Sequence, residues 1–169
     1  PHRHWEDQEP GGRHGANQFL KLTATSEVLV DEIATRAVSP EAAILDLGCN
    51  VGRHLHALWL RGFRNLHGVD VQHSALELMG AAFPDMMSSV TVSQGTFQDY
   101  LPKIADRAFD ISFTHGATIE LVPPPFPICQ ELARISRGAV ILLISENDHS
   151  YPRLWEAEFL KAGFLLTKL

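Results

Sequence analysis

The stretch Asp46-Leu47-Gly48-Cys49-Asn50-Val51-Gly52 joins a continuous apolar run, residues 42–47, to a segment with helical periodicity, residues 53–61. A short apolar run that ends in a glycine-containing turn is typical of a buried strand followed by a helix. Gly48 allows the sharp turn, and Gly52 allows the helix to pack closely against the strand. A ligand can then lie against backbone amides at the helix N-terminus. This stretch therefore predicts the ligand-binding loop of an α/β protein.

Strands and helices alternate on both sides of this loop. Further strands are predicted at residues 65–71, 90–93, 108–114, 138–145 and 164–169, and further helices at residues 18–37, 74–83, 127–136 and 151–162. Strands that are apolar on both faces and alternate with helices form parallel sheets covered on two sides. The predicted fold class is α/β, with a doubly wound, mostly parallel sheet and helices on both faces in three layers. Ligands of such folds bind at the carboxyl ends of the strands.

The length of 169 residues suits one compact domain. Residues 1–17 are polar and contain three glycines, which predicts a flexible N-terminal arm before a single domain at residues 18–169. The predicted sixth strand ends the sequence, so the sheet would have an exposed edge there. Either the sequence is truncated, or a partner such as the second copy of a homodimer covers that edge.

A second acidic residue, Asp70, ends the next predicted strand, about 20 residues beyond the glycine loop. A carboxylate at this place accepts hydrogen bonds from both hydroxyls of a ribose. The dinucleotide pattern G-x-G-x-x-G would need glycine where this chain has Asn50 and Arg53. An NAD-type Rossmann oxidoreductase therefore fits this loop poorly, and we keep it as an alternative.

Together, the loop and Asp70 resemble the corresponding motifs of the class I S-adenosylmethionine-dependent methyltransferases. Looser similarity extends through residues 94–102, 109–114 and 131–138. The resemblance implies a Rossmann-like methyltransferase domain that binds S-adenosylmethionine and releases S-adenosylhomocysteine. In many members an acid follows the glycine after the third strand, whereas Thr96 stands there in this chain. The cofactor-binding residues implied are Asp46, Gly48, Cys49, Asn50, Gly52, Asp70, Val71, Thr96, Phe97 and Thr114.

Methyl transfer depends mainly on holding the acceptor in line with the methyl group, and a general base is needed only when the acceptor carries a proton. His115 follows the predicted fourth strand, where the acceptor should approach, and is the first candidate base; Glu120 is the second. His115 could instead cap the strand or stack on the cofactor. The short chain favours O- or N-methylation of a small molecule, and a non-catalytic relative that keeps the cofactor fold is a further alternative.

Composition argues against several other classes. With 14 Lys and Arg against 20 Asp and Glu, the net charge is −6, and without a basic stripe we expect no nucleic-acid partner. No apolar run approaches the ~20 residues of a membrane span. Two cysteines outside any CxxC pair fit the reducing cytoplasm, where we expect the protein to reside. The histidines at positions 2, 4, 14, 54 and 56 lack metal-ligand spacing, so we predict no metal.

Overall fold

The computed structural model of the chain describes residues 16–116, 118–144 and 150–167. In these ranges five strands form one fully parallel sheet, in the order β3-β2-β1-β4-β5. The strands are β1 (Ile44–Leu47), β2 (Leu66–Asp70), β3 (Val90–Gln94), β4 (Phe109–His115) and β5 (Ser136–Leu143). The strand order reverses between β1 and β4, which is the place where α/β sheets bind ligands.

The helices alternate with the strands. They are α1 (Ala24–Arg36), α2 (Arg53–Leu60), α3 (His73–Ala82), α4 (Phe97–Tyr100), α5 (Ile128–Ile135) and α6 (Trp155–Lys161). Short 3₁₀ turns lie at Ala16–Phe19, Met86–Ser89, Leu101–Lys103 and Ile119–Leu121. None of the helices in the described ranges combines the length and the apolar character needed to cross a membrane.

Two hydrophobic cores lie on opposite faces of the sheet. Ile44 of β1 packs with residues of α1, α2 and α3, whereas Leu45 and Leu47 of the same strand pack with residues of α5 and α6. This division follows from the alternation of side chains along a strand. All four residues of β1 are buried, as expected for the central strand of a sheet that is covered on both faces. The predicted three-layer, doubly wound α/β fold is confirmed.

The predicted sixth strand, residues 164–169, is wrong over residues 164–167, which the structure describes as irregular. The N–H of Phe164 donates to the carbonyl of Phe159 at 2.9 Å, and the two rings meet edge to face. Gly163 makes this reversal with a φ of +90°. Of the apolar residues that suggested a strand, Phe164 therefore closes the end of α6, whereas Leu165 and Leu166 are exposed.

Two helices begin later than predicted. α1 begins at Ala24 and not at residue 18, because the Thr23 hydroxyl accepts the Ser26 N–H at 3.2 Å and caps the helix there. α6 begins at Trp155 and not at residue 151. The preceding segment is held by the turn at Ile119–Leu121 and the residue after it, since Arg153 donates to the carbonyls at positions 119 and 122. The sequence does not predict the single turn of α4.

Some predictions lie outside the described residues. Residues 1–15 of the predicted N-terminal arm are among them, as is the polar loop after β5 that carries Glu146 and His149. Residue 117, between the two candidate bases, is also outside these ranges.

Candidate functional site

A cavity of about 310 Å³ opens at the carboxyl ends of β1, β2 and β4. The glycine loop forms one wall, and the segment that follows β4 forms the opposite wall. The lining residues are Phe19, Gly48, Cys49, Asn50, Val51, Arg53, His54, Asp70, Val71, Gln72, Phe97, His115, Gly116, Thr118 and Leu121. The cavity therefore lies at the position that the doubly wound topology predicts.

Gly48 brings the two walls close together. Its φ is +75°, in the left-handed region that glycine adopts without strain. A Cβ built at this position would lie closer than 3.0 Å to Cγ2 of Thr118 and 3.3 Å from Cβ of Thr118. Both the backbone conformation and the space available therefore require glycine at this position.

The second loop glycine, Gly52, has a φ of +70° and lies against α3. A Cβ there would lie 2.7 Å from Sδ of Met79. The expected close approach is present, but the neighbour is a side chain of α3 and not the strand that precedes the loop. Helix α2 can begin close to α3 because this position has no side chain.

The backbone amides of the loop donate hydrogen bonds within the chain. The N–H groups of Gly48 and Cys49 donate to the carbonyl of Val69, and that of Gly52 donates to the carbonyl of Cys49. The Asn50 N–H donates to Asp70, and the Val51 N–H donates to the Asn50 side chain. These amides therefore hold the loop on the end of β2.

Asp70 is tied to this loop. Its Oδ2 accepts the Asn50 N–H at 2.8 Å, and its Oδ1 accepts the Gln72 N–H at 2.9 Å. A carboxylate has about four acceptor positions, so about two remain for ligand hydroxyls. Burial raises the pKa of Asp70 and nearby Asp46 adds to the increase, while hydrogen bonds from the backbone of Gln72, Asn50 and Val71 oppose it. The carboxylate is thus fixed in direction at the cavity wall.

Two histidines meet on the other side of the cavity. Nδ1 of His115, at the end of β4, lies 3.2 Å from Nε2 of His54, in the first turn of α2. Burial, His54 and Arg53 together lower the pKa of His115 to about 4. His115 is therefore neutral at physiological pH, and one of its ring nitrogens carries a lone pair.

A threonine pair and a buried glutamate support the segment after β4. Thr114 donates to the carbonyl of Leu47 at 2.8 Å, and its hydroxyl also contacts the hydroxyl of Thr118. Glu120 is 1% exposed, and its Oε2 accepts the Thr118 N–H at 3.0 Å. Its carboxylate does not line the described cavity but holds the backbone of the wall in place.

A second depression adjoins the cavity at Val71. It is lined by Val71, His73, Gln94, Gly95, Thr96 and Asp99. The Thr96 hydroxyl donates to Oδ2 of Asp99 at 2.7 Å and accepts the Asp99 N–H, which caps the one-turn helix α4. Asp99 thus places a carboxylate three residues after Thr96, the position at which many class I methyltransferases carry an acid.

The structure brings most of the sequence-predicted site residues to one place. Of these, Gly48, Cys49, Asn50, Asp70, Val71, Phe97 and His115 line the cavity. Thr96 lines the second depression, whereas Asp46, Gly52, Thr114 and Glu120 support the walls from behind. Within the described ranges, no group of three or more metal-ligating side chains comes together.

Several lining residues were missed by the sequence reasoning. Arg53 and His54 directly follow the glycine loop, so their position in the first turn of α2 was a usable signal. Thr118 and Leu121 lie in the segment after β4, which was expected to face the ligand. Phe19 lies far from the glycine loop in the sequence, ahead of α1, and no local pattern marks it as a lining residue.

Comparison with known proteins gives a family. The sequence model of the family described as "Methyltransferase domain" matches residues 44–138, more than half of the chain. This range includes the glycine loop, Asp70 and His115. No curated protein matches the chain significantly.

Solved structures share the fold at low sequence identity. A candidate sarcosine dimethylglycine methyltransferase from Galdieria sulphuraria has a TM-score of 0.65 and 18% identity, covering 83% of this chain and 61% of its own. The candidate methyltransferase solved with the Trm112 activator of Haloferax volcanii has a TM-score of 0.68 and 18% identity, covering 85% and 74%. Geranyl diphosphate C-methyltransferase from Streptomyces coelicolor, solved with S-adenosyl-L-homocysteine, has a TM-score of 0.64 and 12% identity, covering 95% and 74%. This chain thus spans about three fifths of the length of the Galdieria protein.

The family match decides against the NAD-type oxidoreductase, which was the alternative based on the glycine loop alone. The glycine loop, the acid at the end of β2 and the parallel sheet agree with the matched family. The chain therefore belongs to the S-adenosylmethionine-dependent methyltransferases of class I fold.

Proposed function

We propose that the protein transfers the methyl group of S-adenosylmethionine to an oxygen or nitrogen of a small molecule, and that residues 18–169 form the domain responsible. One observation carries the proposal: a fixed carboxylate, Asp70, and a neutral imidazole, His115, line the same cavity. The carboxylate suits a ribose, and the imidazole suits an acceptor that must lose a proton.

The residues present fit the cofactor. Asp70 has acceptor positions left for the ribose hydroxyls after binding two backbone amides. Phe97 and Val71 offer apolar surface beside it for the adenine, next to Thr96. Arg53, which also lines the cavity, offers a guanidinium to the carboxylate of the amino-acid portion.

When bound, S-adenosylmethionine supplies a methyl group on a positively charged sulfur, which keeps the electron pair of the broken bond and leaves as a neutral thioether. His115 takes the proton that the acceptor loses as its new bond to carbon forms. The positive charge then resides on the imidazole, so the number of protons and the total charge are unchanged. Because its pKa is about 4, His115 is in its base form at neutral pH but is a weak base, so it suits an acceptor whose proton becomes acidic as the new bond to carbon forms.

Size and charge support a small-molecule acceptor. Sites for small ligands enclose ~300–1,000 Å³, and the cavity of about 310 Å³ with its adjoining depression lies within this range. The net charge of −6 disfavours a polyanionic acceptor such as nucleic acid. Thr118 and Leu121, on the same wall as His115, are the residues we assign to the acceptor side.

The first experiment is calorimetric titration of the protein with S-adenosylhomocysteine, with NAD in a parallel titration. Micromolar binding of the nucleoside and no heat with NAD would support the proposal. A panel of small hydroxyl and amine compounds is then incubated with S-adenosylmethionine, and S-adenosylhomocysteine is quantified by mass spectrometry.

Two variants sharpen the second step. His115→Asn should retain S-adenosylhomocysteine binding and lose most turnover of any acceptor found. His67→Asn is the matched control, because His67 bonds to Asn65 and does not line the cavity. Binding without turnover of any compound would instead favour the non-catalytic alternative, and absence of nucleoside binding would refute the proposal.

A further inference from the structure

Three polar side chains form a chain from the core to the cavity. Asp46 on β1 is 1% exposed, and its Oδ2 lies 3.6 Å from Nδ1 of His54. Nε2 of His54 lies 3.2 Å from Nδ1 of His115, which lines the cavity. His54 is itself 5% exposed and meets Phe113 edge to face. The order Asp46–His54–His115 therefore leads from a buried carboxylate to the candidate base.

With His54 neutral, the donors and acceptors in this chain have one consistent assignment; a charged His54 would instead donate from both ring nitrogens and leave His115 as the Nε2–H tautomer. Oδ2 of Asp46 is buried and has no hydrogen-bond partner among the described residues, so Nδ1–H of His54 is the donor placed to serve it. A neutral His54 with its proton on Nδ1 has a bare Nε2, which accepts from Nδ1–H of His115. Nε2 of His115 then keeps its lone pair for the cavity.

The opposite assignment is unfavourable. If Nε2 of His54 carried the proton, its Nδ1 lone pair would face the Asp46 oxygen, and two acceptors would oppose each other in the core. An unpaired buried polar atom is costly, and more so when it is charged. The carboxylate therefore sets the tautomer of His54, which in turn sets the tautomer of His115.

We propose that His54 is a positioning residue, which with Asp46 holds His115 in the Nδ1–H tautomer so that its Nε2 can accept the proton of the methyl acceptor. The catalytic meaning of this inference rests on the proposed function. The tautomer assignment does not, because it concerns the protein alone. Free neutral imidazole side chains prefer the Nε2–H tautomer, so the arrangement reverses the intrinsic preference of both rings.

The test reads the tautomers directly, by long-range ¹H–¹⁵N correlation spectra of the whole chain labelled with ¹⁵N-histidine at neutral pH. We expect Nδ1–H for both His54 and His115. His67 is an internal reference for the Nε2–H tautomer, because its Nε2 lies 2.8 Å from the acceptor Oδ1 of Asn65. Each resonance is assigned by substitution of the residue concerned.

Two variants separate positioning from a merely structural role. His54→Phe keeps a ring against Phe113 but removes the acceptor, so His115 should change to Nε2–H. His54→Gln places an amide oxygen near the site of Nε2, and the Nδ1–H tautomer of His115 should return. The His67 signal should stay the same in both variants.

An Nε2–H tautomer of His115 in the unsubstituted protein would overturn the inference, even if neither His54 variant folded. An Nδ1–H tautomer that persisted in folded His54→Phe would overturn it as well. Calorimetry with S-adenosylhomocysteine on the same samples tests the proposed function separately, since the tautomers are measured without cofactor or acceptor.

Discussion

Substitution of Gly48 by alanine tests whether the glycine loop and the segment after β4 must lie in close contact. Two effects add at this position. The φ of +75° costs a residue with a Cβ about 1–2 kcal/mol. The new methyl group also overlaps Cγ2 of Thr118, and overpacking of this kind costs about 1–3 kcal/mol. We therefore expect Gly48→Ala to lower the free energy of unfolding by about 2–5 kcal/mol.

Two comparison variants separate the two costs. Gly62 has a φ of +97°, and a Cβ added there would meet no described atom within 4 Å, so Gly62→Ala should show only the backbone cost of about 1–2 kcal/mol. Thr118→Ser removes Cγ2 and keeps the hydroxyl. Combined with Gly48→Ala, it should recover about 1–3 kcal/mol of the loss, as a coupling energy between contacting residues.

The assay is urea-induced unfolding followed by circular dichroism, with the midpoint and slope compared across the single variants and the double variant. The reasoning would be refuted if Gly48→Ala were no more destabilising than Gly62→Ala. It would also fail if Thr118→Ser brought no relief, because the overlap would then not be the source of the cost.

Other substitutions and titrations probe the cavity itself. Asp70→Ala should weaken S-adenosylhomocysteine binding by about 1.5–3 kcal/mol, roughly 10- to 150-fold, and unchanged affinity in calorimetry would place the ribose elsewhere. The pKa of His115 should be about 4 by NMR, and His54→Gln should raise it but leave it below the ordinary value of 6.5, because burial remains. Since the folded pKa is the lower one, this histidine's contribution to stability is complete above pH 6.5 and is lost as the pH falls towards about 4. Burial raises the pKa of Cys49 and also that of Cys129, the latter to about 11. Neither thiol should therefore react with an aromatic disulfide at mildly alkaline pH until the protein is denatured. Rapid labelling of the native protein would contradict this.

The sheet and the cofactor side of the site could be predicted because their signals are local. Strand β1 is buried on both faces and is apolar throughout except for Asp46, and the glycines and Asp70 stand at the strand ends that a parallel sheet brings together. The predicted boundaries of the five observed strands agree with the structure to within about two residues. Periodicity and turn chemistry are sufficient for this level of description.

The remaining features depend on contacts between distant parts of the chain. The apolar run at residue 164 has the composition of a strand, but periodicity cannot show that Phe164 packs back on Phe159. From the sequence, His54 is considered only as a candidate metal ligand. Its contact with His115 depends on how α2 is rotated against the sheet. The partners of the loop amides likewise depend on the register between β1 and β2.

The division of the interior by the sheet has a consequence for how such a protein can change over evolutionary time. One wall of the cavity consists of the glycine loop and helix α2, which packs in the core that contains Ile44. The other wall includes the turn at Ile119–Leu121, whose Ile119 packs in the core that contains Leu45. Substitutions in well-separated cores are close to additive in their energetic effect. Leu121 on the acceptor side can therefore change with little effect on the packing behind α2, whereas Thr118 is tied to Gly48 of the cofactor loop and β1 is constrained by both cores.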